Sequence, residues 1–165
     1  MKIRKCSQDD LPKIRSIMNH YINHSTTIFD LEPKTEEDLN TWYSNYKNTV
    51  YPLIVAEVEG EVVGYAYLSP YRPKAAYSKT VELSVYTSPD YQGKGLGSKL
   101  MKAILQEGME QEFHTVLSFI TTENQNSIAF HEKFGFEFVG NLKQVGYKMD
   151  KWLDVNIYQL ILGEN

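Results

Sequence analysis

Cysteine and positive charge are both scarce in this chain. One cysteine, Cys6, stands among 165 residues, so no internal disulfide can form. That usage suits a reducing compartment, and a cytoplasmic protein is expected. Cys6 itself reads as a small buried hydrophobe on the first strand. Lysine and arginine total 17 against 21 aspartates and glutamates, a formal net charge of −4, which advertises no broad basic face for nucleic acid. No apolar run reaches membrane-spanning length, and Met1-Lys-Ile-Arg-Lys-Cys6 lacks the apolar core of a signal peptide, so no membrane partner is expected. Repeats, low-complexity segments and linkers are also missing, and 1–165 reads as one domain large enough for a proper core.

Glycine is used where it matters. The run Gln92-Gly93-Lys94-Gly95-Leu96-Gly97 follows a strand-like stretch, Thr80 to Tyr86, and opens an amphipathic helical stretch, Leu96 to Gln111. A glycine turn at a helix start leaves several N–H groups unpaired and pointing one way, and the helix dipole adds positive potential there. The turn is a seat for a phosphate or diphosphate, which the bare glycines let approach the main chain. The spacing excludes two common ligand loops. A dinucleotide fingerprint would need a third glycine where Ser98 stands, and no nucleoside-triphosphate loop is present. A tight turn with no ligand is the plain alternative.

Periodicity places the other elements. Lys2 to Cys6 reads as a strand. Ser7 is the expected cap of a helix carrying Leu11, Ile14, Met18 and Tyr21 on one face, with Pro12 in its first turn. Ser25 to Asp30 reads as a loop. Thr35 caps a second helix with Leu39, Trp42, Tyr43 and Tyr46. Leu53–Val58 and Val62–Leu68 form a hairpin around Glu59-Gly60-Glu61. Val116 to Thr121 is a strand, a short helix holds Ser127, and Phe136–Gln144 and Val155–Leu162 are the last strands. The order predicts a mixed α/β fold, a twisted sheet with helices on both faces. Tyrosine is abundant, with 12 copies, as in a polar-tipped core, a subunit interface or a binding pocket.

Asn124-Gln-Asn-Ser127-Ile-Ala-Phe-His131-Glu-Lys-Phe-Gly135-Phe136 is a second motif. With the Gln92–Gly97 loop, it resembles the GNAT acetyltransferase superfamily. Asn19-His-Tyr21, Ser25-Thr26-x-x-Phe29, Val55 to Gly60, Ala76-Tyr77-x-x-Thr80-Val-Glu82 and Gly146 to Val155 extend the likeness to the phosphinothricin/methionine sulfoximine N-acetyltransferase branch. The resemblance implies a GNAT-like mixed sheet of about six or seven strands. It also implies acetyl-CoA as cofactor, a small amino-acid-like amine as acceptor and a homodimer. No metal site is expected.

The site residues follow. Along Val81–Tyr86, apolar side chains alternate with Glu82, Ser84 and Tyr86, which share the other face. Acetyl transfer needs a neutral amine, and Glu82 is the candidate base; the resemblance places a catalytic glutamate there too. A half-exposed strand glutamate without a catalytic role is the alternative. His131 stands where much of the superfamily has an acidic tyrosine. It can act as acid, can hydrogen-bond the base or the cofactor, or can be structural. The resemblance implies that Val85, Tyr86 and Thr87 pair with the pantetheine arm, with the Val85 N–H polarising the thioester carbonyl. Gln92, Gly93, Lys94, Gly95, Leu96, Gly97 and Ser98 would hold the diphosphate, and Asn124 and Ser127 the arm. Arg72 and Lys74, with Tyr77, would grip an acidic acceptor, and Ser25, Thr26 and Phe29 would line its pocket. Many relatives carry arginine where Lys74 stands. Other acceptors (a protein N-terminus, a polyamine, an aminoglycoside) and a non-catalytic CoA sensor stay open.

Overall fold

The computed structural model describes residues 1–163. Its elements run β1 (Lys2–Lys5), α1 (Leu11–His24), α2 (Glu36–Ser44), β2 (Leu53–Val58), β3 (Glu61–Pro70), β4 (Thr80–Thr87), α3 (Leu96–Glu110), β5 (Thr115–Thr121), α4 (Gln125–Lys133), β6 (Glu137–Lys148) and β7 (Lys151–Ile161). The strands form one mixed sheet in the order β1-β2-β3-β4-β5-β7-β6. Among the described residues only β4 and β5 pair in parallel. α1 and α2 pack on one face, against Val55, Val62 and Tyr65. α3 and Ile128 of α4 cover the other, against Ala66, Leu68, Val81 and Val116. This is the GNAT-like arrangement expected from the sequence.

Local chemistry accounts for the ends of these elements. The Thr35 hydroxyl accepts from Asp38 N–H at 3.1 Å, and the Asp38 carboxylate accepts from Thr35 N–H at 2.8 Å, a reciprocal cap on α2. The β2–β3 turn is two residues long: Glu59 and Gly60 both have positive φ, at 52° and 82°, which matches the twist of a tight hairpin. α3 buries Leu96, Leu100, Met101 and Ile104, each worth about 1.5–3 kcal/mol when withdrawn from water. It lies close on the sheet because β3 has a glycine beneath it; a Cβ on Gly64 would sit 2.9 Å from Leu100.

Two expectations need correction. Ser7 caps a short 3-10 turn, Gln8–Asp10, and α1 starts only after it. Ser7 N–H instead donates to Asp10, whose buried carboxylate also takes two hydrogen bonds from Arg4, at 2.8 and 3.0 Å. The last two strands are longer than predicted. β6 continues to Lys148 and β7 begins at Lys151, so residues 145–154, unassigned in the sequence, form the far end of their hairpin. No helix among the described residues is long and apolar enough to cross a membrane.

Candidate functional site

β4 makes the site by leaving its neighbour. It stays paired to β3 from Pro70↔Val81 to Gly64↔Thr87, but pairs with β5 only over Thr80, Val81 and Glu82. Beyond Glu82 a gap opens between the strands. Antiparallel residues alternate between bonding the partner strand and bonding outward. Ser88 N–H donates to Val63 O at 2.7 Å. Counting back along the register, Tyr86 and Ser84 bond β3 and the Glu82↔Leu117 bridge engages the Leu83 amide, while Val85 and Thr87 present their amides to the gap. Val85 and Thr87 are therefore placed to pair with an extended ligand. Tyr86, expected to do the same, has its backbone engaged and can contribute only its side chain.

A groove of about 480 Å³ starts at this gap and runs onto the glycine loop. Of the residues expected to hold the cofactor, Val85–Thr87, Gln92, Gly93, Gly95, Gly97, Ser98, Asn124 and Ser127 line it. Two predicted members do not. Lys94 lies outside, over the Tyr91 ring at 5.0 Å. The Leu96 side chain is buried in the core, so only its backbone amide can serve a ligand. Gly95 has φ +77° and closes the turn into α3. A Cβ on Gly97 would meet the Phe130 ring at an ordinary 3.6 Å, so bareness there is no packing requirement and leaves room on the groove side. Asn124 caps α4, accepting from Ser127 N–H at 3.2 Å, while its side chain still reaches the groove.

Glu82 sits at the last paired position before the gap, half-buried on the face of Ser84 and Tyr86. Burial raises its carboxyl above the ordinary carboxylate value, and the nearby Arg72 charge partly opposes that. His131 faces the gap from α4, behind Leu83 and Val85. Its Nδ1 lies 2.7 Å from the Ser127 carbonyl, which fixes the proton on that nitrogen and leaves Nε2 as an acceptor. Burial lowers its pKa, with the Ser127 bond opposing, so the ring rests neutral. A small cavity of about 50 Å³ in the gap also touches the buried hydroxyls of Ser118 and Thr121, which have no hydrogen-bond partner among the described residues. It has room for a water or the tip of a ligand.

A second cavity of about 220 Å³ lies on the Glu82 face of the sheet. Trp42, Tyr67, Tyr86 and Ile28 wall it, and the Asp30–Lys34 ion pair, at 2.7 Å, stands at its edge. The residues expected to line an acceptor pocket from this side have other tasks. Ser25 ends α1 by donating its hydroxyl to Tyr21 O at 2.9 Å. Thr26 is buried and donates to Glu123, which also pairs with Lys151 at 2.8 Å. Phe29 packs on Gly146 of β6. They pin the loop, and its neighbours Thr27, Ile28 and Asp30 face the cavities. The buried Lys148 adds a further tie, donating to Ile28 O at 2.5 Å. Arg72, Lys74 and Tyr77 are all exposed on the β3–β4 connection. Tyr77 packs edge-on against Tyr71.

Sequence reasoning missed Tyr21, Thr27, Trp42 and Tyr67. The tyrosine surplus was the available signal. Tyr65 and Tyr67 alternate on β3 as Ser84 and Tyr86 do on β4, and strand pairing puts them on one face.

The geometry agrees with what comparison finds. The acetyltransferase (GNAT) family pattern matches residues 15–136. The chain belongs to this family of GNAT-fold, acetyl-CoA-dependent acetyltransferases. Within it, the chain is closely related to the phosphinothricin/methionine sulfoximine branch. It is 37% identical over 161 residues to the L-methionine sulfoximine/L-methionine sulfone acetyltransferase of Pseudomonas aeruginosa, covering 97% of this chain and 94% of that protein. Among solved structures, a Salmonella typhimurium protein with its cofactor acetyl-CoA superposes with a TM-score of 0.96 at 34% identity, covering 100% of this chain and 95% of that one. A phosphinothricin acetyltransferase from Sinorhizobium meliloti, in complex with acetyl-CoA, gives 0.95 at 33% identity, covering 99% and 89%.

Proposed function

We propose that this chain moves the acetyl group of acetyl-CoA to the amine of a small amino-acid-like acceptor of the methionine sulfone, methionine sulfoximine or phosphinothricin type, by direct transfer in a ternary complex. One observation carries the reading. The β4 gap opens with the outward amide of Val85 three residues along the strand from a raised, half-buried carboxylate, Glu82, and with the glycine loop at the far end of the groove. Diphosphate on the amides of residues 93–98 and pantetheine along Val85 and Thr87 would bring the thioester to Glu82.

The chemistry balances with these groups. Glu82, directly or through water, takes one proton from the ammonium, and the neutral nitrogen attacks the thioester carbon. A C–N bond forms, and the carbonyl electrons move to oxygen, where the Val85 N–H receives the developing charge. Collapse breaks the C–S bond. The proton that the acetylated nitrogen sheds is the one the departing sulfur needs, and water can carry it. His131, neutral with its Nδ1 proton committed to Ser127, is assigned the role of hydrogen-bond acceptor at the gap, a choice among the options its sequence position left open.

On the acceptor side, Arg72 would hold a carboxylate beside Glu82, and the aromatic cavity would take the side chain. The exposed apolar edge of the sheet at β6 supports a homodimer. The lone Cys6, half-buried just past β1 with its thiol pushed up by burial to about 12, suits the cytoplasm. Thiol release from acetyl-CoA, measured against methionine sulfone, methionine sulfoximine, phosphinothricin and spermidine, tests the function. Release with the amino-acid analogues and none with spermidine is expected. CoA binding without release from any amine would make the chain a sensor and end the proposal.

A further inference from the structure

Tyr21, in the last turns of α1, is where three elements of the groove meet. Its hydroxyl donates to the Thr87 carbonyl at 2.5 Å and accepts from Gln92 Nε2 at 2.9 Å. A phenol has one proton, and this geometry spends it on Thr87, so the Gln92 amide must turn its NH₂ toward Tyr21. The ring packs against Tyr86 with centroids 5.6 Å apart, and burial raises the phenol above its ordinary value, so it stays protonated through the neutral range. The main chain of the same residue is also engaged. The Tyr21 carbonyl accepts from both the N–H and the hydroxyl of Ser25, which starts the loop toward the acceptor cavity. Gln92 is exposed and its tie to Tyr21 is the side-chain hydrogen bond it makes among the described residues. Without that tie a long, flexible side chain stands at the mouth of the glycine loop.

Resting on the reading that residues 93–98 seat the diphosphate of CoA, we propose that Tyr21 is a positioning residue for the acetyl donor. It touches no reacting atom. It holds Gln92 and the outward-facing end of β4 in the arrangement that receives the donor, so less ordering remains to be done on binding. The consequence is a defect confined to donors long enough to reach the loop.

Steady-state kinetics of Tyr21→Phe with two donors tests this. Acetyl-CoA reaches the loop; S-acetyl-N-acetylcysteamine carries the same thioester with no diphosphate. The KM for acetyl-CoA should rise about five- to tenfold, the loss of one or two hydrogen bonds. Both kcat and the acceptor KM should stay within about twofold of wild type, and kcat/KM for the short donor should not move. Equal losses with both donors, or no loss with acetyl-CoA, would overturn the proposal. Should Tyr21→Phe fail to fold, Tyr21→Leu, which keeps apolar volume against Tyr86 and lacks the hydroxyl, decides: it must show the acetyl-CoA defect and spare the short donor. If wild type acetylates no amine from either donor, the acetyltransferase reading has failed. Titration of CoA into wild type and Tyr21→Phe then still judges Tyr21, with equal affinities counting against it.

Discussion

Half-buried and with burial as the main influence on its ionisation, the Glu82 carboxylate is held where its charge is disfavoured. A strand glutamate with only a surface role would turn toward water. The raised value brings the carboxyl closer to neutrality and makes it a better proton acceptor once ionised. The sign follows directly. The base is the deprotonated form, so acetylation should rise as pH climbs through the raised Glu82 value. Glu82→Gln should lower kcat by about 100-fold at pH 7, a typical loss for a general base. Its pH–rate profile should lack the lower limb, with acetyl-CoA affinity kept; a profile superimposable on wild type would remove Glu82 as the base. At the other end of the groove, Gly95 stands at φ +77° with no protein atom within 4 Å of where a Cβ would be. Gly95→Val therefore sets its Cβ in open space in the free protein. It carries a backbone strain of about 1–3 kcal/mol and fills the space intended for the ligand. Calorimetry should find a folded protein with a modestly lower Tm and CoA affinity reduced by more than about 100-fold. Retained affinity in the folded variant would move the diphosphate elsewhere.

The elements show which parts of the site a sequence can disclose. A glycine run between a strand and an amphipathic helix is local, so the diphosphate loop was legible from its own residues. The two faces of β4 were legible as well, because alternation has a fixed period. The gap between β4 and β5 was reached through resemblance alone, since nothing in Leu83–Thr87 says that β5 has left. The acceptor-side cavity was hidden: Ile28, Trp42 and Tyr67 come from a loop, a helix and a strand that meet only in the fold. The far end of the β6–β7 hairpin was missed for another reason. Its turn, Met149-Asp150, has positive φ at both residues, 54° and 61°, with no glycine to signal it. That hairpin reaches the site through Lys148, whose buried ammonium donates to Ile28 O. Burial lowers the Lys148 value, with Asp30 opposing, so the loop contact is held against an unfavourable environment. Lys148→Met keeps the stem and deletes the donor. The acceptor KM should rise about fivefold, the worth of one such hydrogen bond, while the acetyl-CoA KM stays at its wild-type value. A change in both constants would show that the loop does not act on the acceptor alone.

At the scale of the whole molecule, the sheet ends in an edge that a soluble monomer would be expected to protect. Among the described residues β6 pairs only with β7, its outer side is open, and nearly every residue along it is exposed. Phe138, Val139, Leu142, Val145 and Tyr147 lie on that strand, with Met149 and Trp152 at the tip of the hairpin; Phe138 is 56% and Trp152 61% exposed. Edge strands that stay solvent-facing are normally short, charged or bulged. β6 is 12 residues long, and its bulged stretch between Leu142 and Gly146 still carries Val145 outward. Clustered exposure of this kind marks an interaction surface, and a second copy of the chain is the occupant that the sequence resemblance also implies. Sedimentation equilibrium should return twice the 19.1 kDa of one chain. Trp152→Glu places a charge in the apolar surface without touching the core and should shift the equilibrium to monomer. The loop that Lys148 ties down hangs from the same hairpin, so dissociation should raise the acceptor KM more than the acetyl-CoA KM. A wild-type mass of one chain at micromolar concentration would remove the dimer and leave the β6 surface to a different partner.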